Sequence, residues 1–450
     1  MPTPTDPIEN HPDPSDTIRT GIAADIAVLG AGAAGLMAAI AAGRAIRTLG
    51  PTSRPHPTVL AIDGAKKLGA KILVAGGGRC NVTHHQVTEH AYAGTSRNSI
   101  RNVLRRFGVD DTVRFFKDLG VELKREDTGK LFPTTDKART VLDALLTAAD
   151  DARVTLRHPD RAETVAHDPA STHPFTITTQ SATIRARTLI LATGGKALPR
   201  SGSDGLGYTF AKALGHSITP QIHPALVPLI LDESSPLPAL SGLTLPVQIE
   251  LRACSNKRLE SFTNSTLLTH FGLSGPAVMD ISRYYLDART TDPGAHLVAN
   301  FLPDHTRESL DRELQNLAGR KPALWLTDRL PARLADTLCA LAGIGFDTTG
   351  ATLTKAQRRA LLDAVCEHRL PVTRSRGFTH AETTAGGVPL TEVSIKTMES
   401  RTTPGLSLCG EILDTDGRIG GFNFQWAWAT GHIAGTAAAH AACNEDKEQR

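Results

Sequence analysis

Residues 25–35 read DIAVLGAGAAG, and this stretch decides the fold. Asp25–Leu29 is a short apolar run of the kind that fills a buried parallel strand. Gly30-Ala31-Gly32-Ala33-Ala34-Gly35 follows at once, and Leu36–Leu49 continues as an Ala-rich helical stretch. Strand, G-x-G-x-x-G and helix stand in the order that binds a dinucleotide. Gly30 permits the tight turn, Gly32 lets the backbone approach a pyrophosphate, and Gly35 allows close helix–strand packing. The helix start attracts the phosphate charge. Thr58–Asp63 (TVLAID) predicts a second strand that ends in a carboxylate placed to bond ribose hydroxyls. Asp63 stands 28 residues beyond Gly35, against about 20 in the usual pattern. The excess falls in Arg47–Pro57, which carries Pro51, Pro55 and Pro57 and reads as a loop.

The rest of the composition bounds the molecule. A chain of 450 residues has length for two to four domains. Its 49 basic and 46 acidic residues leave a net charge of +3, so no polyanion partner follows and nucleic acid is not expected. No apolar run reaches the ~18 residues of a membrane span. The six cysteines form no CxxC pair, which argues against structural zinc and suits reduced thiols in a cytoplasm. No metal site is expected. Residues 1–23 hold five prolines and no apolar core of a secretory signal, and they read as a disordered tail.

Lys71–Asn81 reads KILVAGGGRCN. Gly76, Gly77 and Gly78 suit a backbone that passes close to a ligand or adopts positive φ. Lys71, Arg79 and Asn81 then offer donors to a bound anion or ring carbonyl. Cys80 reads as a small packing residue beside a cofactor; the competing reading is a redox thiol with a pKa lowered by Arg79.

Residues 25–35, 63–84, 189–215, 266–282 and 376–435 together resemble a bacterial FAD-binding flavoprotein family of NAD(P)/FAD-dependent oxidoreductases that includes a bile-acid ene-reductase. The most specific stretches are GGGRCN (Gly76–Asn81), THFGLSGPA (Thr269–Ala277), and TMES with GEILDTDGRIGGFNFQWA between Thr397 and Ala427. The resemblance implies FAD along Gly30, Gly32, Ala33, Ala34, Gly35, Asp63, Lys71, Gly77, Gly78, Arg79, Cys80 and Asn81. Thr188–Thr193 (TLILAT) with Gly194-Gly195 resembles the ATG-type strand end where the chain of such flavoproteins crosses near the cofactor. Pro404–Cys409 followed by Gly410-Glu411 resembles a GD-type motif whose acid bonds a ribitol hydroxyl; here the acid is Glu411, with Asp414 or Asp416 as alternatives. Gly420, Gly421, Phe422, Asn423 and Gln425 lead into a helix whose N–H groups can face the flavin edge that gains charge on reduction.

No second G-x-G-x-x-G follows a strand, so a nicotinamide donor, NAD(P)H, has no domain of its own and docks transiently. The expected architecture is α/β: a discontinuous Rossmann-like FAD-binding domain (24–215 and 375–450) carrying a β-rich, barrel-like insert (216–304) and a helical insert (305–374). The expected activity is oxidoreduction at the flavin, with reduction of an activated C=C bond in a small molecule as the specific reading. The alternative is a flavoprotein whose FAD is structural or redox-sensing. Arg79, Asn81 and His270 are the candidates for substrate orientation and proton donation; His270 is singled out because histidine titrates near neutrality. Arg97, Arg101 and Arg105 form a basic stripe with an exposed face as its default reading.

Overall fold

The structure, a computed structural model, describes residues 20–49 and 57–448. The expected tail lies outside the described residues up to residue 19, and so do residues 50–56 of the expected loop. Residues 20–23 are not tail: they open strand β1 (Thr20–Leu29). Helix α1 (Ala33–Leu49) follows, so Arg47–Leu49 are helical and not loop.

β1 is the centre of a parallel sheet. Ile26–Leu29 pair on one side with β2 (Val59–Ile62) and on the other with Thr188–Leu191. Val154–Arg157 extends the sheet beyond β2 in the same direction. The strand Ala182–Leu191 serves two partners along one edge. Its first half pairs antiparallel with Phe175–Thr179, and its last residues pair parallel with Leu406–Leu408 from the far end of the chain. Ile26–Val28 and Leu189–Leu191 are wholly buried, which is why these strands read as continuous apolar runs.

The C-terminal helix Phe422–Glu448 lies against α1. Small residues permit the approach. A Cβ built on Gly435 would stand 2.0 Å from the Ala38 carbonyl oxygen, and one on Gly431 would stand 2.4 Å from that of Ala34. The chain therefore leaves the nucleotide-binding unit and returns to it.

Between these visits residues 229–370 build a second hydrophobic core. Its antiparallel sheet has Thr244–Arg252 paired on one side with Arg258–Thr269 and on the other with His296–Asn300. Helix Pro276–Thr291 packs on the first pair. The helices between Arg307 and Cys366 share this core rather than forming one of their own. Two further strands, His368–Leu370 and Val372–Ser375, fall inside the stretch read as helical and return the chain to the sheet. Leu226 adopts φ +50°, and a short strand follows it at Leu229–Leu231.

Replacing Gly435 by Val is expected to cost about 1–3 kcal/mol, because neither backbone can yield without opening the helix pair. Urea unfolding of both proteins measures it, and an unchanged midpoint would show that the contact is dispensable.

Candidate functional site

The carboxyl ends of the parallel strands open into a cavity of about 620 Å³. Gly30 turns the chain out of β1 with φ +98°. A Cβ there would stand 2.5 Å from the Ala192 carbonyl oxygen, so no other residue fits. Asp63, at the end of β2, holds this turn. Its Oδ2 accepts from the Ala31 N–H at 2.7 Å and its Oδ1 from the Ala65 N–H at 2.8 Å. Gly32 lines the cavity with no atom where its Cβ would be, and Ala33 and Ala34 line it beside the start of α1. Gly35 stands behind the loop. Its Cβ would fall 1.8 Å from the Gly30 carbonyl oxygen, which is the close packing expected of it.

Helix α2 (Ala70–Gly78) places Lys71 on the opposite wall. Its Nζ lies 2.5 Å from Glu411 Oε2, and Glu411 Oε1 accepts from the Thr384 hydroxyl at 2.8 Å. The helical path fails at Ala75, and Gly76, Gly77 and Gly78 all take left-handed φ. Only Gly76 of the three lines the cavity; Gly77 and Gly78 are exposed and serve the turn. That turn aims Arg79 and Asn81 at the cavity and Cys80 away from it. Arg79 lies 4.0 Å over the Phe132 ring and pairs with Glu126 at 2.6 Å and Asp136 at 3.7 Å. Its charge is matched by protein, which makes it a support for the wall. Asn81 is buried, and its Oδ1 has no hydrogen-bond partner.

Cys80 is wholly buried at φ +61°, and burial pushes its thiol up to about 12. A buried thiol shifted this way favours the neutral form, which fits the packing reading better than the redox one.

Thr193 and Gly194 line the cavity, and the buried hydroxyls of Thr193 and Ser203 lack partners there. Gly195 sits back from it, where any side chain would meet Thr384 and Glu411. Asp414 and Asp416 are buried beyond the lining. Asp416 lies 3.2 Å from Arg283, yet burial holds its pKa up at about 7. Gly420, Gly421 and Asn423 line the cavity at the start of the C-terminal helix. Phe422 turns away and stacks on His84. Gln425 is a correction. It is wholly buried, accepts from Thr83 and Thr112, and donates to the Phe107 carbonyl, so it braces the scaffold. His270 is a second correction. It is exposed in the turn after Arg258–Thr269 and is not among the cavity-lining residues. The tight return from Thr269 to Gly272 places it at the hairpin tip.

Sequence reasoning missed Lys130, Phe132, Glu382, Thr383 and Arg418, all of which line the cavity. Arg418 Nη2 lies 3.1 Å from Asp280 and so ties the cavity rim to helix Pro276–Thr291. Of the arginine stripe, Arg101 pairs with Glu89 at 2.6 Å.

A glycine cradle at a helix start, buried polar atoms without partners and a cavity of this size fit a bound dinucleotide. They define a Rossmann-type flavoprotein oxidoreductase. The HI0933-like protein Rossmann domain matches residues 24–437, and the chain belongs to this family of FAD-dependent enzymes. The chain is 33% identical to a 3-dehydro-bile acid delta(4,6)-reductase of Clostridium scindens, over 92% of this chain and 98% of that protein. It is 34% identical to a ribosomal RNA dihydrouridine synthase of Escherichia coli, over 90% and 96%. The Haemophilus influenzae protein of the same name is 32% identical over the same shares. Among the described residues no helix is long and apolar enough to cross a membrane.

Gly32→Val is expected to lower FAD affinity by roughly tenfold or more, about 1.4 kcal/mol, while leaving apo-protein unfolding unchanged. Titration with FAD and a melting curve separate the two effects. For the thiols, a maleimide probe is expected to label exposed Cys254 in the native protein and Cys80 only after unfolding. Peptide mapping reads the outcome.

Proposed function

We propose that this protein reduces a carbon–carbon double bond conjugated to a carbonyl, with NAD(P)H as electron source and FAD as carrier. The observation that carries the reading is the cavity beyond the glycine loop. Polar groups from Asn81, Lys130 and Arg418 meet apolar walls from Phe132, Phe424 and Trp426 there. Such a site holds a flat, largely apolar molecule and fixes one oxygen. The names of the relatives share one chemistry. A delta(4,6)-reductase and a dihydrouridine synthase each saturate a ring double bond in conjugation with a carbonyl.

Bound FAD would supply a hydride from its ring. The Gly30–Gly32 turn and the start of α1 would hold its phosphates. Asp63, Thr193, Ser203 and Asn423 would hold its hydroxyls and ring edges. Asn81 and Lys130 orient the substrate carbonyl and stabilise charge that builds on its oxygen. Arg79 keeps Phe132 in place. NAD(P)H docks against the same cavity and leaves.

A small organic molecule is the substrate class we favour. A uracil base in RNA is the second reading, and one observation favours it. A polar cleft of about 610 Å³, lined by Arg97, Arg283, Phe262 and Tyr284, meets the cavity at Arg418, which lines both. Arginines beside aromatic rings suit a nucleotide chain.

The test begins with the purified, FAD-loaded protein under anaerobic conditions. NADH and NADPH are added separately, and then a 3-oxo-Δ4 steroid acid or a uridine-containing RNA. Bleaching by one nicotinamide and recovery with one acceptor is the expected result. A bound flavin that neither nicotinamide bleaches would sink the donor assignment. Recovery with RNA alone, lost at high salt, would replace the first substrate reading by the second.

A further inference from the structure

We infer that Glu382 is the proton donor of the reduction, a residue that no sequence motif marks. The inference rests on the reductase reading above. It starts from an inventory of the acids that line the cavity. Asp63 is held by two backbone N–H groups. Glu411 is paired with Lys71 and Thr384. Asp204 is paired with Arg161. Glu382 lines the same cavity, and among the described residues no ion pair or hydrogen bond holds its carboxyl. Among the described residues no histidine, tyrosine or cysteine lines the cavity, and of its two lysines Lys71 is already engaged, which leaves Lys130.

The backbone fixes where Glu382 stands. Its N–H donates to the Leu226 carbonyl at 3.1 Å. The next residues, Thr383–Ala385, form a short strand paired with His223–Ala225. Thr384 on that strand is the residue that holds Glu411. Glu382 therefore shares a rigid element with a wall of the cofactor cavity. Its side chain lines the cavity and is exposed to the open cleft.

When bound substrate displaces water from the cleft, a carboxylate without a partner there becomes costly, and the protonated form relieves the cost. Burial raises the Glu382 pKa, Asp280 adds to the rise, and Lys130 and Lys71 oppose it. A rise in carboxyl pKa moves the group toward the protonated form that a general acid needs.

In the proposed step the hydride, with its electron pair, bonds to the alkene carbon remote from the carbonyl. The Glu382 O–H bond breaks, and its proton forms the C–H bond on the carbon next to the carbonyl. The carboxylate that remains faces Lys130 and takes a proton from water as the product leaves. The reduced nicotinamide supplies the two electrons. Lys130 serves the carbonyl oxygen.

Two measurements test this. The first uses the protein without flavin, labelled with 13C at glutamate carboxyls. One resonance is expected to titrate above the ordinary glutamate range and to vanish in Glu382→Gln. The second follows flavin absorbance in the loaded protein. Glu382→Gln is expected to bleach with nicotinamide as the wild type does. Its recovery on adding the 3-oxo-Δ4 steroid acid should slow by about a hundredfold or more. Recovery at the wild-type rate would overturn the inference, as would a Glu382 resonance in the ordinary range. So would a Lys130→Met variant that alone loses the proton-transfer step. If wild-type flavin bleaches but recovers with neither the steroid acid nor the uridine RNA, the reductase reading fails. The carboxyl titration still reports on Glu382 in that case.

Discussion

The close approach of α1 and the C-terminal helix is the constraint on which the remaining structure depends. With Gly431 and Gly435 against the α1 backbone, two segments from opposite ends of the chain share one layer over the sheet. That contact places Gly420 and Gly421 opposite Gly30 and Gly32, across a single cavity. It also makes Leu406–Leu408 a neighbour of Ala182–Leu191, which extends the sheet beside the loop at Thr193. Both walls of the cofactor site thus depend on the close backbone packing of two helices. The insert is then held where it covers the open end, through Arg418 and Asp280.

The polar groups around the cavity fall into two sets. Asp63, Lys71, Arg79 and Glu411 are each tied to a protein partner and give the walls their shape. Asn81 Oδ1 and the hydroxyls of Thr193 and Ser203 are buried without partners. A buried polar atom left unsatisfied costs about 1–3 kcal/mol, so these atoms mark where a ligand contributes most. The division separates scaffold from contact more sharply than residue type does. Arg79 has the chemistry of an anion binder and acts as a brace. Asn81, two residues on, is the group still able to bind.

The sequence announces what is local. Strand, glycine turn and helix lie in one continuous stretch, and the acid at the end of β2 is readable from the strand it closes. The return near Gly420 carries its own glycine signal. What stays hidden is what tertiary assembly brings in. Lys130 and Phe132 come from a short strand without a motif, and Glu382 precedes a strand of only three residues. Gln425 misled for the opposite reason. It stands in a motif that touches the cofactor cavity, but its position on the helix turns it toward Thr83 and Thr112. His270 misled because a hairpin tip has no periodicity to show which way it points.

The split layout of the nucleotide-binding unit also has a consequence for how the chain is made. β1 and α1 leave the ribosome some four hundred residues before the helix that covers α1. Until then the buried apolar faces of α1 and of Ala182–Leu191 lack part of their cover. The insert, whose core is drawn from one continuous stretch of sequence, can close earlier. Synthesis proceeds at about 5–20 residues per second, so the first strand waits tens of seconds for its last neighbour. Once residue 370 has emerged, and until the last helix follows, the nascent chain can hold a folded insert beside an open half-sheet, and this is the species a chaperone would meet.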